Sequence, residues 1–590
     1  MADQADFPDI YIDSSVEAGG VGSEADPYSA FSEINWTTSG DNSIFDYYAG
    51  AHSAPVTINF KRDEEWRGDA LSVRYAEPSA LYPLVISSYG SGDLPVFLGS
   101  IDISGGATYK WTPTANWASG YKEYGLEAAA GGASGISQPN QVHIDWVRCA
   151  WSGQEIGSLD DHGFVWGDPG AGFGFPTVVI RDESGDPDTT AVSIEASDAS
   201  MNSVIYVYDD NVVIEELDVR GSDGHGIRIV GGNNNVVVQD CTLHHNWWAG
   251  YQIYSGSTNC ILRRCDISHC KGSNISVNAN GDENPVLNLI IEDNDIHDAD
   301  VNIGTSFTEA SGIKAFGLNY STIRRNTWYN NQSGGIRFDG LDGEHGCDFN
   351  EIYENELYNN GGIGYEEGVD TGLYVQMELE YSSDNLIYLN YFHDPWGGGP
   401  NFAFSHGYTD NNYVFSNIFE GSSTNYWQGS IRFQTGSGAI NGPNYFYNNL
   451  VYGAYRAIDH GTSGSVVLKN NIVDGSISQD LRMSAESNVA TLTSDNNCFS
   501  YGGVGRVRVD DTYYTLELWK SYSAGLGNTC DANSISSDPL LTAPGSEDFS
   551  LQAGSPCENT GEILGDPYNV GLLPGATWPD GVISGDRDNY

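Results

Sequence analysis

Ile291-Glu-Asp-Asn294-Asp-Ile296 and Ile323-Arg-Arg-Asn326-Thr-Trp328 are two copies of a phrase, apolar-x-x-Asn-x-apolar, that recurs along this chain of 590 residues. Further copies are centred on Asn355, Asn390, Asn417, Asn449, Asn471 and, less well preserved, Asn497, and upstream Leu217, Cys241 and Cys265 occupy the same anchor position. Successive anchors are separated by 24, 24, 29, 32, 29, 35, 27, 32, 22 and 26 residues. A period of this size indicates a solenoid in which each repeat forms one coil.

Asparagine suits the corner of such a coil for two reasons. It tolerates left-handed backbone angles better than most residues do. Its amide also donates and accepts hydrogen bonds, so stacked copies can bond to one another and to the backbone at the corner. We therefore expect the anchors to stack from coil to coil.

The residues around each anchor have the character of β-strands. A stretch such as Tyr413-Val-Phe precedes the anchor, and a second strand follows it, often opened by glycine, as in Gly312-Ile-Lys-Ala315 and Gly335-Ile-Arg-Phe338. Alternation places one face of such a strand inside and the other outside. No segment carries a sustained helical pattern, and the coils are too short for four-stranded propeller blades. The sequence predicts an all-β chain that forms a single-stranded, right-handed parallel β-helix of about ten or more coils.

The chain divides into four stretches on its sequence pattern. Residues 1–106 are predicted to form an N-terminal cap and the first coils, and residues 107–200 an irregular, Trp-rich insertion within the early coils. Residues 201–500 hold the regular coils, and residues 501–590 a final coil and a C-terminal cap. A cap is expected because a bare terminal coil exposes unpaired strand edges.

The charge of the chain is strongly negative, with 80 acidic residues against 25 basic ones and a formal net charge of −55. Such a surface repels nucleic acid and anionic lipid, so we expect neither as a partner. It suits a protein in concentrated salt, where screening removes self-repulsion, although an ordinary acidic extracellular protein is an equal alternative. The sequence has no apolar run long enough for membrane insertion. No signal peptide is present in this chain, so an extracellular mature form or a virion component is expected.

The nine cysteines show no spacing typical of a zinc site. Cys241 and Cys265 share an anchor position and are expected to stack. Cys260 with Cys270, and Cys530 with Cys557, remain open as disulfide pairs.

Several segments carry a resemblance to a known group of proteins. They include the opening Asp9-Ile-Tyr-Ile-Asp-Ser, Phe60-Lys-Arg with Trp66-Arg-Gly, Tyr89-Gly-Ser-Gly92 and the closing Asp538-Pro-Leu with Gly554-Ser-Pro. Together they resemble extracellular and viral right-handed β-helix proteins, which are pectate-lyase-like and act on polysaccharides. The resemblance implies a polysaccharide or glycan ligand on the outside of one sheet. It covers lyases, hydrolases, epimerases and tailspikes alike, and a homo-oligomer is compatible with it.

The outward positions of the second strands predict where a ligand would lie. In coil order the first outward column is Arg228, Gln252, Ser276, Lys314, Arg337, Tyr374, Ala403 and Arg432, and the second is Val230, Tyr254, Asn278, Phe316, Asp339, Gln376, Ser405 and Gln434. Four of the eight positions in the first column are Lys or Arg, although the whole chain has few cations. We predict a catalytic group of Lys314, Arg337, Asp339 and Tyr374. The predicted substrate-binding residues are Arg228, Gln252, Tyr254, Gln376 and Arg432, with Trp247 and Trp396 stacking on sugar faces.

This group suits β-elimination from a uronic acid, which needs a cation to neutralise the carboxylate and a base to remove the neighbouring proton. Arg337 can hold a carboxylate through two hydrogen bonds. The arrangement is similar to β-helix lyases of the chondroitinase B and alginate lyase type. That resemblance implies a nearby calcium ion with Glu309 as a ligand, but no companion ligands are evident, so no cofactor is assigned firmly. Alternatively, the two cations simply pair with Asp339 and other acids.

Two further readings stay open. Hydrolysis needs two carboxylates about 5 to 10 Å apart, and the candidates are Asp339, Asp342, Glu344, Glu366, Glu367 and Asp370. The second reading is a virion tailspike or surface β-helix that binds a host glycan with little or no cleavage.

Overall fold

A computed structural model gives the fold. It describes residues 9–34, 44, 54–67, 70–74, 77–104, 108–114, 123–128, 134, 136–145, 147–151, 163–167, 177–181, 187–188, 193–279, 284–299, 310–340, 346–361, 375–395, 399–405, 409–421, 429–433, 442–461, 464–499, 506–558 and 561–564. The chain separates into two compact units, residues 1–276 with 299–307 and residues 277–298 with 308–590.

Each regular coil contains three short strands that belong to three parallel sheets, here named A, B and C in chain order. In one coil of the first unit, sheet A holds Val212–Glu215, sheet B holds Asp218–Arg220 and sheet C holds His225–Ile229. Strands of neighbouring coils pair in parallel, as Ile214 does with Val238. The glycine-opened strand predicted as the second of each coil is therefore the third, because a three-residue strand directly follows the anchor.

The strands of the first unit are as follows. Sheet A contains Ile10–Ile12, Val56–Lys61, Leu84–Tyr89, Val212–Glu215, Val237–Gln239 and Ile261–Arg263; sheet B contains Glu65–Arg67, Val96–Leu98, Asp218–Arg220, Thr242–His244 and Asp266–Ser268; sheet C contains Leu71–Val73, Ser203–Val207, His225–Ile229 and Ala249–Tyr254. The strand Ile275–Asn278 crosses the boundary between the units.

The strands of the second unit repeat the same order. Sheet A contains Ile290–Glu292, Thr322–Arg324, Glu351–Tyr353, Leu386–Tyr388, Tyr413–Phe415, Asn444–Tyr447, Val466–Lys469 and Leu492–Asp495; sheet B contains Asp295–His297, Thr327–Tyr329, Glu356–Tyr358, Tyr391–His393, Ile418–Glu420, Leu450–Tyr452, Ile472–Asp474, Cys498–Phe499 and Ile535–Ser536. Sheet C contains Ser311–Phe316, Gly334–Asp339, Val375–Leu379, Phe402–Phe404, Ile431–Phe433, Arg456–His460, Gln479–Met483, Val507–Val509 and the antiparallel Thr512–Tyr514. The predicted parallel β-helix is confirmed.

The insertion in the first unit is more regular than the sequence suggested. Its described strands form two antiparallel groups, one of Ser100–Asp102, Val142–Ile144, Val147–Arg148 and Ile194–Ser197, the other of Tyr109–Pro113, Glu123–Ala128, Ala150–Trp151, Gly163–Gly167 and Thr177–Arg181 (where Ala150–Trp151 alone pairs in parallel). Trp111, Tyr124 and Phe164 are almost fully buried in a core of their own. The division into four stretches stays a prediction.

The C-terminal residues contain the α-helix Leu516–Gly525 and the antiparallel pair Leu541–Ala543 and Asp548–Leu551. Trp519 of the helix is fully buried, and its indole Nε1 donates to Asp531 at 2.8 Å. Phe549 packs on the outward residues of sheet B, with ring contacts to Tyr391 and Tyr452. This segment therefore lies against the outer face of sheet B, in addition to following the last coil. The remaining elements are short: the 3-10 turns Phe31–Glu33, Glu486–Thr491 and Pro544–Ser546, and the paired strands Val286–Leu287 and Leu318–Asn319.

The predicted stack of anchors forms a continuous ladder in the second unit. Asn326 donates from its backbone nitrogen and its Nδ2 to Oδ1 of Asn355, at 3.1 and 3.0 Å, and its Nδ2 also donates to the carbonyl of Ile291. The same bonds recur along Asn294, Asn326, Asn355, Asn390, Asn417, Asn449, Asn471 and Asn497. The left-handed residue is not the anchor but the one before it, for example Arg325 with φ 54° and Leu389 with φ 56°. Asparagine is thus required for its amide rather than for its backbone angles.

Two smaller observations complete the fold. All nine cysteines are buried thiols outside any disulfide, so neither of the disulfides left open is formed. Among the described residues, no helix has the length and apolar character that crossing a membrane would require.

Candidate functional site

The outer face of sheet C in the second unit brings together charged side chains from consecutive coils. Lys314 pairs with Arg337, and Phe316 pairs with Asp339, as the alternation of the two strands predicted. Ile313 and Ile336 point inward and are fully buried. The inward isoleucines fix the opposite face of each strand outside, because side chains alternate along a strand.

On the next coil the predicted alignment is wrong by four residues. Arg337 pairs with Glu378, so Glu378 continues the first column and Glu380 the second. Gln376 instead is fully buried near the start of its strand, where Nε2 donates to Oδ1 of Asn401 at 2.7 Å. Tyr374 lies outside the described residues. A shift of four keeps the same side of the strand outside, so alternation alone could not detect the error.

The charged groups contact one another directly. Arg337 Nε donates to Glu378 Oε2 at 2.9 Å, and Lys314 Nζ lies 3.7 Å from Asp339 Oδ2. The Ser405 hydroxyl donates to Glu380 Oε1 at 3.0 Å. The ion pairing left open as an alternative is therefore present, with Glu378 as an additional acid.

Burial and mutual repulsion change the acidity of these carboxyls. Burial raises the pKa of Asp339 to about 6, and the charge and hydrogen bond of Glu380 add to this effect against the opposing charges of Lys314 and Arg337. Burial likewise raises the pKa of Glu378 to about 7, although Arg337 opposes it. Burial would lower the pKa of Arg337, but the three surrounding carboxylates raise it. We call this set of residues the carboxyl cluster; it consists of Lys314, Arg337, Asp339, Glu378 and Glu380.

The carboxyl cluster can hold and move protons near neutral pH. Asp339 and Glu380 are hydrogen-bonded to each other, and two carboxyls so close favour sharing one proton. With that proton, and with Glu378 ionised, the site carries two positive and two negative charges; with Glu378 in its acid form it keeps one positive charge in excess. Its side chains are largely enclosed, with exposed fractions of 13% for Lys314, 16% for Asp339 and 1% for Glu378.

The sequence analysis missed Glu378 and Glu380. The segment Val375-Gln-Met377-Glu-Leu379-Glu alternates apolar and polar residues, and Val375, Met377 and Leu379 are buried. This longer alternation was the signal that could have extended the strand to both glutamates.

The other predicted binding residues are distributed over both units. Arg432 pairs with Ala403 on one side and Asp459 on the other, which places it three coils from Arg337. In the first unit, Arg228 pairs with Gln252, and its guanidinium carbon lies 4.5 Å from the ring centre of Tyr254. Gln252 is buried, and Trp247 has Lys271 Nζ at 5.9 Å from its ring centre. The roles of these residues stay predictions.

Some predicted residues lie outside the described part of the chain. These are Trp396, the predicted calcium ligand Glu309, Gln434 of the second column, and the acids Asp342, Glu344, Glu366, Glu367 and Asp370. Of the six carboxylates considered for hydrolysis, Asp339 is therefore the one that lies in the described part of the chain.

Comparison with known proteins shows which families and solved structures are similar to this fold. The family described as the right handed beta helix region matches residues 178–308. A solved structure described as a complex of XylC with xylose has 10% sequence identity and a TM-score of 0.50, covering 85% of this chain and 86% of its own. A glycoside hydrolase has 9% identity and a TM-score of 0.44, covering 86% and 95%. The pectate lyase Pel9A has 12% identity and a TM-score of 0.34, covering 97% and 96%. No curated protein sequence matches the chain.

Proposed function

We propose that this protein cleaves glycosidic bonds of a polysaccharide that lies on the outer face of sheet C, outside the cell or on a virion surface. The observation that carries the proposal is the pair of elevated carboxyl pKa values, about 6 at Asp339 and about 7 at Glu378, beside Lys314 and Arg337. Perturbed acids in one cluster are typical of groups that exchange protons during a reaction. The sugar complex described for XylC, which shares the fold, supports a carbohydrate as the ligand.

Hydrolysis is the reaction that these carboxyls support best. It needs one acid to protonate the leaving oxygen and one carboxylate to act on the other side of the sugar. Glu380 follows Glu378 by two residues, just beyond the end of the strand Val375–Leu379, so alternation places both carboxyls on the same outer side.

The proton balance assigns a role to each carboxyl. Glu378 in its acid form gives its proton to the glycosidic oxygen as the bond to the anomeric carbon breaks. The Asp339–Glu380 pair, which keeps one negative charge while it shares one proton, takes a second proton from water, whose oxygen bonds to that carbon. One water is consumed for each bond cleaved, and proton exchange with solvent restores Glu378. A pKa of about 7 suits a general acid at neutral pH.

The two cations position the acids in this scheme. Arg337 fixes one oxygen of Glu378 through its Nε, and Lys314 lies beside Asp339. Because Arg337 and Lys314 already contact carboxyl groups of the site, the sugar at the cleaved bond is best uncharged. An anionic sugar there would have to displace an ion pair.

β-Elimination from an acidic polysaccharide is the second candidate reaction. The adjacency of Lys314 and Arg337 favours it, since two cations on neighbouring coils can neutralise a uronate carboxylate. The predicted third member, Tyr374, lies outside the described residues. The two reactions differ in their products, because elimination consumes no water and leaves an unsaturated sugar.

A cleavage assay on a panel of neutral and acidic polysaccharides tests the proposal. New reducing ends without ultraviolet absorbance from an unsaturated product would indicate hydrolysis, and both signals together would indicate elimination. In the Glu378→Gln variant we expect a loss of about a hundredfold or more, because the general acid is removed. Glu351→Gln, on an exposed residue of sheet A, is the matched control. Binding of a glycan with neither product would refute cleavage and favour a non-catalytic glycan receptor.

A further inference from the structure

Five arginines cluster on sheet C near the end of the second unit. Between residues 338 and 586 the sequence contains only these arginines: Arg432, Arg456, Arg482, Arg506 and Arg508. Four lie within the strands Ile431–Phe433, Arg456–His460, Gln479–Met483 and Val507–Val509, and Arg506 directly precedes the last of these. We call them the arginine group. Because the chain has a net charge of −55, the concentration of these arginines on sheet C points to a specific role.

The register aligns three members of the arginine group, Arg432, Arg482 and Arg508, on one face. Arg432 pairs with Asp459, Asp459 with Arg482, and Arg482 with Arg508. Each step between neighbouring coils is about 4.8 Å. Arg482 Nη1 holds both oxygens of Asp459, at 2.8 and 2.9 Å, and Arg506 Nη1 lies 3.9 Å from Asp480 Oδ1.

Like charges adjoin one another in the arginine group. Within the described part of the chain, the ion pairs of the group include those with Asp459, Asp480 and Asp511. Like charges directly opposite in a sheet are destabilising, and Arg482 stands directly opposite Arg508. Burial lowers the pKa of Arg456, and the charges of Arg482 and Arg508 lower it further. Neighbouring coils thus present two guanidinium groups side by side.

Part of the arginine group is open to a ligand. The side chains of Arg482 and Arg508 are 25% and 18% exposed. Tyr513 is 52% exposed, and its ring centre lies 5.5 Å from the guanidinium carbon of Arg508. Asp511, the ion-pair partner of Arg508, is 99% exposed, so a bound anion can readily replace it. An arginine fork beside an accessible aromatic ring matches a sugar that bears an anionic group.

We propose that the arginine group binds an oxyanion, a carboxylate or a sulfate, carried on a glycan. This inference rests on the proposed function, because it treats the arginine group as a further subsite of the same sheet C face. Arg432 is two coils from Glu378, about 10 Å, and Arg482 is four coils from it, about 19 Å. The substrate would therefore carry its charge two to five coils beyond an uncharged sugar at the cleaved bond.

Titration calorimetry with defined tetrasaccharides tests this inference. The probes are tetragalacturonate for carboxylate, a chondroitin sulfate tetrasaccharide for sulfate, and uncharged maltotetraose. The full chain is used with Glu378→Gln as background, so that cleavage does not disturb the titration. Arg508→Gln is the principal variant because the ion pair that it removes is with the exposed Asp511, and Arg482→Gln is the second. Arg264→Gln is the matched control, since Arg264 is an exposed arginine paired with Asp240 in the first unit.

We expect at least one anionic probe to bind about tenfold or more tightly than maltotetraose, and to lose about tenfold in affinity in Arg508→Gln. Affinity should fall with added NaCl and stay unchanged in Arg264→Gln. The probe that binds more tightly identifies the oxyanion. Equal binding of charged and neutral probes, or full affinity in a folded Arg508→Gln, would overturn the inference. Anion binding by a chain that cleaves no glycan would refute only the proposed function.

Discussion

Replacing Asp339 by asparagine should stabilise the protein at alkaline pH while it reduces cleavage. Burial raises the pKa of this carboxyl from 3.8 to about 6. A raised pKa means that the folded state retains a proton that the unfolded state has released. The stability contributed by that proton is complete below about pH 4, declines as pH rises, and is lost above about pH 6.

The size of the effect follows from the shift. About two units correspond to about 3 kcal/mol at pH 8 as an upper bound, since one unit is worth 1.36 kcal/mol. Asparagine removes this penalty but also the contact with Lys314, which is worth up to about 1 kcal/mol. The net gain at pH 8 is about 1 to 2 kcal/mol, and at pH 4 the variant is slightly less stable. For a unit of this size, the gain raises Tm by about 1 to 3 °C.

Thermal unfolding by differential scanning calorimetry from pH 4 to pH 8 measures this difference. Asp293→Asn serves as control, because Asp293 is a half-exposed acid paired with Arg325. A gain for Asp339→Asn of the same size at pH 4 and pH 8, or no gain at pH 8, would show that the carboxyl is not held in an unfavourable charged state. The pKa of Asp339 would then no longer support proton transfer at this site.

Three further outcomes follow from the structure. Asn355→Ala should lower stability by about 3 to 5 kcal/mol in urea unfolding, because five buried hydrogen bonds are lost, while Asn533→Ala, at an exposed position, should cost under about 1 kcal/mol. Phe549→Ala should cost about 3 to 5 kcal/mol and increase proteolysis of the C-terminal segment, a result that an unchanged digestion pattern would contradict. Because the net charge is −55, Tm should rise between 0.1 and 1 M NaCl, and a fall would show that self-repulsion is unimportant.

The sequence predicted those parts of the fold that repeat with a fixed spacing. Asn294, Asn326 and Asn355 mark each coil with one residue whose amide has no apolar substitute, so the period is visible directly. Lys314 and Arg337 lie within glycine-opened strands of identical pattern, and their pairing was predictable for that reason.

The parts that the sequence could not predict depend on strand register. Between Arg337 and Glu378 the chain makes a longer excursion than between any other paired strands of sheet C in the second unit, so counting from the anchor no longer fixes the alignment. Alternation then permits any even shift, and Gln376 was placed where Glu380 stands. The strands of sheet B were missed because three residues are too few to show a period.

The asparagine ladder also gives the second unit a direction. In each bond between two of these asparagines, the amide nitrogen donates to the amide oxygen of the following coil, so all the Asn–Asn bonds run in one direction. At its donor end Asn497 meets acceptors instead of another amide: its backbone nitrogen donates to Ser534 Oγ and its Nδ2 to Asp531 Oδ1. Interior coils are therefore interchangeable modules that duplication or loss leaves compatible with their neighbours. The last coil is not, since a carboxylate can terminate this polarity but cannot pass it on.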